Sequence, residues 1–262
     1  MRIVVCVKQV IDTAARIVLK DGAVDGTNLA KVLNPYDEFA VEEAIRIRER
    51  LPDTEITLIS LGPEGFRDAL RAGLAMGADK AVHLLNPAFD DVDSLTASRL
   101  LAKAITTLGF DLILCGRQAV DDDMAQIGPA LAVYLDIPCV TAVTQLEFSD
   151  DWNRATVTRQ IEGGSEIIES PLPILLTCQK GLNQPRLPSF KGIMAAKKKQ
   201  IETITAEKLG FDFITGNDST STVIATGLKL PSLRDKGVML DGPASDAVVK
   251  LVKSLRDTEK VV

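Results

Sequence analysis

The sequence predicts an α/β fold: a parallel sheet with helices on both faces, a small antiparallel appendage and a C-terminal arm. Two observations predict it. Apolar runs of strand length alternate with segments of helical period through residues 1 to 135, and that rhythm builds parallel sheets through right-handed crossovers. Beyond Pro138 the helices drop out, and strand-like runs follow one another across turn signals.

Ile3 to Val10 reads as a first buried strand. After a polar loop, Asp37 to Arg50 places Ala40, Val41, Ala44, Ile45 and Ile47 at helical spacing, with charges between them. Glu55 to Leu61 is a second strand. Pro63, suited to a first helical position, opens a helix through Arg67, Leu70 and Leu74 that stops at Gly77. Lys80 to Leu85 is a third strand, Ser94 to Leu108 a helix ending at Gly109, and Asp111 to Cys115 a fourth strand. A helix then runs from about Asp123 to Leu135. Val140 to Phe148, Arg154 to Ile161 and Glu166 to Glu169 read as strands joined by turns at Asp150-Asp151 and Gly163-Gly164. Pro173 to Cys178 is one more apolar strand, and Ala244 to Leu255 a C-terminal helix. Asn183 to Lys199 and much of 210 to 243 lack periodicity, which points to function, disorder or an arm laid on a partner. The chain thus divides into an α/β nucleotide-binding domain, residues 1–200, and a C-terminal extension or arm, residues 201–262.

With 262 residues, 46% hydrophobic and 25% charged, the composition is that of an ordinary globular protein able to bury a large core. Aromatics are only 4%, so aliphatic side chains must fill that core. The net charge of −6 argues against a nucleic-acid footprint, which needs a basic face. No apolar run approaches the ~20 residues of a membrane span, and Met1 to Val5 enters a strand with no signal-peptide pattern. The expected compartment is the cytoplasm. Cys6, Cys115, Cys139 and Cys178 are widely spaced without CxxC pairing, so they read as buried free thiols rather than metal ligands.

Catalytic machinery is hard to find. The single histidine, His83, has no nucleophile motif beside it and reads as a packed or surface residue. GxxxxGK[ST], GxGxxG, HExxH and EF-hand patterns are all missing. A binding or carrier protein is expected, with no catalytic residue and no metal ligand.

Two loops fall at the carboxyl ends of the expected parallel strands, where open α/β sheets bind ligands. The first is Asn34-Pro35-Tyr36-Asp37-Glu38, in which Asp37 is placed to cap the following helix and Tyr36 offers an aromatic face. The second runs Gly116-Arg117-Gln118-Ala119-Val120-Asp121-Asp122-Asp123-Met124-Ala125-Gln126-Ile127 to Gly128-Pro129. Gly116 allows close approach to the backbone, and free amides at the next helix start can hold a phosphate. The plain alternatives are a helix cap and a solvated acidic turn. Asp121 to Asp123 repel a phosphate and suit capping, ribose contact or metal ligation better. The residues alone suggest an adenine nucleotide.

A basic cluster, Arg186, Lys191, Lys197, Lys198 and Lys199, abuts Leu187-Pro188-Ser189-Phe190 in an otherwise acidic chain. An apolar aromatic in a loop beside charges suits partner docking more than a core.

Taken together these segments resemble the electron-transfer flavoprotein beta subunit family. The likeness runs through Val5-Cys6-Val7-Lys8-Gln9-Val10 with Asp12, Leu33 to Asp37 with Ala40 and Glu42 to Ala44, Ala75 to Asp79, Cys115 to Ala119 with Asp121 to Asp123, Gln126 and Gly128, and Leu182 to Arg186 through Gly192 to Lys199. The last segment is the most specific. The resemblance implies a Rossmann-like domain without the glycine fingerprint. It implies a heterodimer with a larger alpha subunit that holds most of an FAD. Electrons then arrive from an acyl-CoA-type dehydrogenase and leave to a quinone oxidoreductase at the membrane or another acceptor. A second nucleotide in the beta subunit is implied too: AMP in ordinary members, a second FAD in electron-bifurcating ones.

By position, the resemblance places Cys6, Asn34, Pro35, Tyr36, Asp37, Leu61 and Gly116 through Ile127 around that second nucleotide. It brings Thr13 and Tyr36 near the flavin ring of the alpha subunit's FAD. It makes Asn183 to Lys199 a docking loop, with Phe190 where a leucine is common and Arg186, Pro188, Ile193, Met194, Lys197, Lys198 and Lys199 around it. Ordinary members place Asn and Thr where this chain has Ala125 and Ile127. The run Ala125-Gln126-Ile127-Gly128-Pro129 is closer to bifurcating members, which in turn carry Gly and Thr in place of Asp122 and Met124 and an Arg before the Phe of Asn86-Pro87-Ala88-Phe89. AMP is the favoured expectation and a second FAD the alternative. A stand-alone adenine-nucleotide binder of the stress-protein kind has the same fold and is a further alternative.

Overall fold

In the computed structural model, which describes residues 1–89, 92–210, 221, 223, 226–232 and 237–262, nine strands share one sheet. In chain order the elements are β1 (Arg2–Cys6), β2 (Gln9–Ile11), β3 (Leu19–Lys20), β4 (Ala23–Val24), β5 (Lys31–Leu33), α1 (Pro35–Arg50), β6 (Glu55–Leu61), α2 (Arg67–Met76), β7 (Lys80–Leu84), α3 (Ser94–Leu108), β8 (Leu112–Gly116) and α4 (Ile127–Leu135). Then come β9 (Cys139–Phe148), β10 (Arg154–Ile161), β11 (Gly164–Pro171), β12 (Ile174–Cys178), α5 (Phe190–Lys198), β13 (Ile201–Ile204) and α6 (Ala244–Lys253). The large sheet is ordered β11-β10-β9-β12-β8-β1-β6-β7-β13. Every neighbouring pair from β9 to β13 is parallel, and only the β9–β10 and β10–β11 pairs are antiparallel.

Central strands read as near-continuous apolar runs because both of their faces are covered. Arg-Ile-Val-Val-Cys of β1 is buried after its first residue, and Ile-Leu-Leu-Thr-Cys of β12 is buried throughout. Alternate residues feed two cores. Ile3, Val5, Leu58, Leu112 and Leu114 pack with α1 and α2 residues such as Val41, Ala44 and Leu70. Val4, Ile59, Ile113 and Leu175 pack with α3 and α4 residues such as Leu101, Ile105 and Leu131.

Several expectations are corrected. Ile3 to Val10 is two elements, because the chain leaves the sheet after Cys6 and Gln9–Ile11 pairs instead with Lys31–Leu33. α1 starts at Pro35, a proline at a helix start needing no N–H partner. Pro63 precedes a short 3-10 turn, Glu64–Phe66, before α2 begins. α4 begins at Ile127 rather than near Asp123, and both Asp123 and Ala125 have positive φ, 52° and 54°, which no helix admits. The antiparallel appendage is present as expected and extends one edge of the large sheet. β9 lies parallel beside β12, and β10 and β11 prolong the same sheet.

The stretch 183–199 is not aperiodic either. It contains α5, started by the Ser189 hydroxyl, which accepts from the Gly192 amide at 3.0 Å. The sheet also reaches past residue 200, since β13 forms its far edge against β7. Of the run 210–243, residues 211–220, 222, 224, 225 and 233–236 lie outside the described residues, and the remainder is neither helix nor strand.

His83 is fully buried in β7, its Nε2 3.0 Å from the Gly62 carbonyl. Burial pulls its pKa below the ordinary histidine value. Cys6, Cys115 and Cys178 are buried free thiols, and Cys139 is half-buried. Among the described residues no helix is long and apolar enough to cross a membrane.

The middle of the sheet should be the least forgiving place for truncation. Leu114 of β8 is fully buried between β1 and β12. Leu114→Ala should lower unfolding free energy by roughly 2–5 kcal/mol in chemical denaturation. A loss below that range would show that the two helical layers can close over the cavity.

Candidate functional site

The strand order creates the site. From β1 the chain crosses to β6 on one side, while β8 arrives on the other. Loops leaving β1 and β8 therefore diverge, and a crevice opens at the carboxyl edge between them. A cavity of about 240 Å³ lies there, walled by Cys6 and Cys115 below, Phe89, Leu101 and Ile127 on the α3–α4 side, and the 116–128 loop above.

One carboxylate joins the pieces. Asp37, in the first turn of α1, is buried and accepts from the Lys8 amide at 2.8 Å, the Asn34 side-chain amide at 2.9 Å and the Gly116 amide at 3.1 Å. It does not cap α1, as its position suggested; it ties the loop after β1, the start of α1 and the end of β8. Burial pushes its pKa up to about 7, against the pull of those three donors. Asn34 extends the same seam, donating to the Gln118 carbonyl at 2.9 Å and accepting from the Val120 amide at 3.2 Å. Gly116 must be glycine, because a Cβ there would strike the Asp37 carboxylate and stand 2.8 Å from the Tyr36 backbone.

The acidic run is partly neutralised. Lys8 donates its ammonium to Asp121 at 2.8 Å and Asp122 at 3.1 Å. Burial alone would lower its pKa, yet the hydrogen bonds and charges of those two aspartates outweigh that and raise it. Asp123 accepts from the Gln118 side chain at 2.6 Å. Past it, Ala125 at φ 54° and Gln126 at φ −97°, ψ −28° are of opposite hand, an arrangement that turns successive amides into one concavity.

Two helix starts border the cavity, and they differ. α3 is capped by Asp93, which accepts from the Thr96 amide at 2.8 Å. α4 has no side-chain cap, and the residues at its start, Gln126, Ile127 and Gly128, line the cavity, at the helix end where amides lack intrahelical partners and the dipole is positive. Gly128 sets α4 tight on the sheet, since a Cβ there would lie 2.5 Å from the Thr177 methyl.

The cavity wall takes Cys6, Asn34, Asp37, Leu61, residues 116–119, Asp122 and residues 124–127 from the expected set. Pro35, Tyr36, Val120, Asp121 and Asp123 stand behind it, and Thr13 sits on an exposed turn outside it. Sequence reasoning did not single out Lys8, or Ser94 and Ala97 of α3. A cation two residues past a buried strand was the available signal for Lys8. Nothing local marked the α3 residues.

A second feature lies on the other face. Leu187, Phe190, Ile193 and Met194 are exposed, Phe190 at 80%, so Phe190 is no core residue. The neighbouring cations have different duties. Arg186 clamps the segment to α1 through Glu42, at 2.8 and 3.0 Å, and Glu49, at 2.7 Å. Lys199 donates to the Ala78 carbonyl at 2.5 Å. Lys191, Lys197 and Lys198 are exposed, and Pro188 is half-buried.

Two tests follow from the seam. The folded Asp37 carboxyl gives up its proton near pH 7, against 3.8 for an ordinary aspartate. The native state thus binds more protons over that window, and stability should fall as pH rises through it, by about 1.4 kcal/mol per pH unit at most. Denaturation midpoints between about pH 4 and about pH 8 should show this slope, and Asp37→Asn should flatten it while lowering the overall level. A wild-type profile as flat as the variant's would mean that the three donors keep Asp37 ionised. Separately, Gly116→Val should part β8 from α1 and lower the melting temperature. Unchanged melting would refute the tight contact.

Comparison with known proteins gives the family. The family model described as "Electron transfer flavoprotein domain" matches residues 22–209. The "Electron transfer flavoprotein subunit beta" of Thermoanaerobacterium thermosaccharolyticum is 40% identical over 265 residues, covering 97% of this chain and 98% of its own length. That of Bos taurus is 38% identical over 257 residues, 96% of each chain. The "Caffeyl-CoA reductase-Etf complex subunit CarD" of Acetobacterium woodii is 38% identical over 261 residues, 98% of each. With the family model spanning most of the sheet and these relatives aligned over nearly their whole length, the chain belongs to the electron transfer flavoprotein family and is a beta subunit.

Proposed function

We propose that this chain pairs with a larger alpha subunit carrying most of an FAD, accepts electrons from an acyl-CoA-type dehydrogenase and passes them to a quinone oxidoreductase or another acceptor. The cytoplasm is its working compartment. When bound, the FAD supplies the redox chemistry, and the protein binds and orients it. Thr13 and Tyr36, outside the cavity wall, are available to the alpha subunit's flavin side.

In this reading the cavity holds AMP. The uncapped start of α4 carries it, because free amides at a helix N-terminus are suited to a phosphate. With Lys8 occupied by Asp121 and Asp122, the acidic run presents less negative charge to that phosphate. Ala125 and Ile127 offer no hydroxyl, so backbone amides do the holding. A volume of about 240 Å³ lies just below the ~300–1,000 Å³ usual for ligand sites, which favours a mononucleotide over a second FAD. The nucleotide bridges the loops after β1 and β8 and supports the fold rather than carrying electrons.

Phe190, with Ile193 and Met194 behind it, is the anchor that enters the dehydrogenase, and Lys191, Lys197 and Lys198 form its charged rim. Arg186 and Lys199 hold the segment in place instead of meeting the partner.

Co-expression with its alpha subunit should give a yellow heterodimer releasing one FAD and one AMP on denaturation. Two FADs and no AMP would establish the bifurcating form, and a colourless homodimer would defeat the assignment. Phe190→Ala should slow transfer from the dehydrogenase about tens-fold, as loss of an aromatic anchor worth ~2 kcal/mol or more does. Because Phe190 is exposed, melting temperature and flavin spectrum should hold. Neutralising Lys197 and Lys198 should chiefly weaken the salt dependence of association. Wild-type transfer by Phe190→Ala would remove the docking role from α5.

A further inference from the structure

The docking helix is seated by two groups that the proposed function has not used. α5 turns small residues toward α2. A Cβ on Gly192 would collide with the Ala75 carbonyl oxygen and stand 3.3 Å from the Ser189 hydroxyl. Ala196, one turn later, is buried at 2%. Only a residue without Cβ lets the two backbones come this close. At the other end, Arg71 of α2 donates to the carbonyls of Ala196 and Lys199, each at 2.5 Å. A cation thereby closes the negative end of the helix dipole. The outward face carries Phe190, Ile193 and Met194 at i, i+3 and i+4. Roll and tilt of α5 on α2 therefore decide where the apolar stripe points.

We propose that Gly192 and Arg71 are positioning residues for partner docking, fixing α5 so that Phe190 meets its pocket. This rests on the docking role of Phe190 proposed above. Neither residue approaches the nucleotide cavity, since both act on the opposite face of the sheet. Electron flow within the heterodimer does not run through them. A side chain at position 192 must push α5 outward or roll it, and loss of Arg71 frees its C-terminal end. Both moves displace the anchor without removing an atom from it. Displacements of ~1 Å already carry large penalties where geometry must match.

The test is steady-state transfer from a reduced acyl-CoA dehydrogenase to the heterodimer, with the dehydrogenase concentration varied. Gly192→Ala should raise KM for the dehydrogenase roughly ten-fold, the scale of one lost interface anchor contact, and Arg71→Leu several-fold. In both, kcat and the flavin spectrum should stay at wild-type values. Gly73→Ala is the control for strain on α2, because its Cβ would instead press on Leu58 of the core at 2.6 Å. It should lower the melting temperature and leave KM unchanged. In a Phe190→Ala background, Gly192→Ala should add nothing further. If Phe190→Ala impairs docking while KM in both Gly192→Ala and Arg71→Leu stays within about two-fold of wild type, a change too small for a displaced anchor, the positioning role is overturned and the docking reading stands. The positioning role is overturned likewise if Gly73→Ala raises KM as much as Gly192→Ala. If Phe190→Ala itself leaves KM unchanged, the docking reading falls and this inference with it.

Discussion

Everything at the carboxyl edge of the sheet depends on the buried Asp37 carboxylate. Three segments far apart in sequence meet there, and each gives it an amide N–H: Lys8 after β1, Asn34 before α1, and Gly116 at the end of β8. A crevice at a strand-order reversal is by nature a place where loops part. The carboxylate holds them together on one flank, so the crevice becomes a cavity with a fixed wall. The same burial that makes it a good tie makes its ionisation costly, and its pKa moves up to about 7. Gly116 is the steric counterpart of this arrangement, since the tie can form only where β8 ends without a Cβ.

From that wall the charge logic of the loop follows. Three consecutive aspartates beside the proposed phosphate position look self-defeating, but each already has a partner within the protein. Lys8 reaches Asp121 and Asp122, and Gln118 reaches Asp123. Their engagement also fixes the turn that delivers Ala125 and Gln126 to the start of α4. Ala125 holds a left-handed conformation that costs an alanine on the order of 1 kcal/mol, and strain of this kind is kept where the surroundings fix it. The helix begins without a side-chain cap while its neighbour α3 is capped. That contrast distinguishes a start left open toward the cavity from one closed by the chain itself.

Much of this was legible in the sequence, and the parts that were not have physical reasons. Strands β1, β6, β8 and β12 announced themselves because burial on both faces makes them continuous apolar runs. The two cavity loops were legible because ligand sites collect at strand ends, and glycine at 116 marked close approach. The start of α4 was misjudged because Asp123 looks like a helix cap, and only its positive φ in the fold shows that the chain is still turning there. α5 escaped notice since its inward face is Gly192 and Ala196, small residues whose value lies in proximity to α2 rather than in hydrophobicity. β13 is short, and its pairing with β7 is a long-range fact no local pattern carries. The fate of Arg186 was equally hidden. Beside lysines it reads as part of a docking patch, yet Glu42 and Glu49 on α1 take its donors.

The sheet also separates the cavity from the α5 segment. The cavity opens on the side packed by α3 and α4, whereas α5 sits on α2 and buries Ala196 in the opposite core. A nucleotide in the cavity therefore acts on the loops after β1 and β8. The apolar stripe of α5 is held by contacts to α1 and α2 that do not include those loops. Such an arrangement suits a carrier subunit, in which the groups that maintain the fold and the groups that meet a partner can vary independently. Two helices touch both: α1 presents Asp37 to the cavity and, about one and three turns later, Glu42 and Glu49 to Arg186, while Phe66 at the start of α2 lines the cavity and Arg71 further along holds α5.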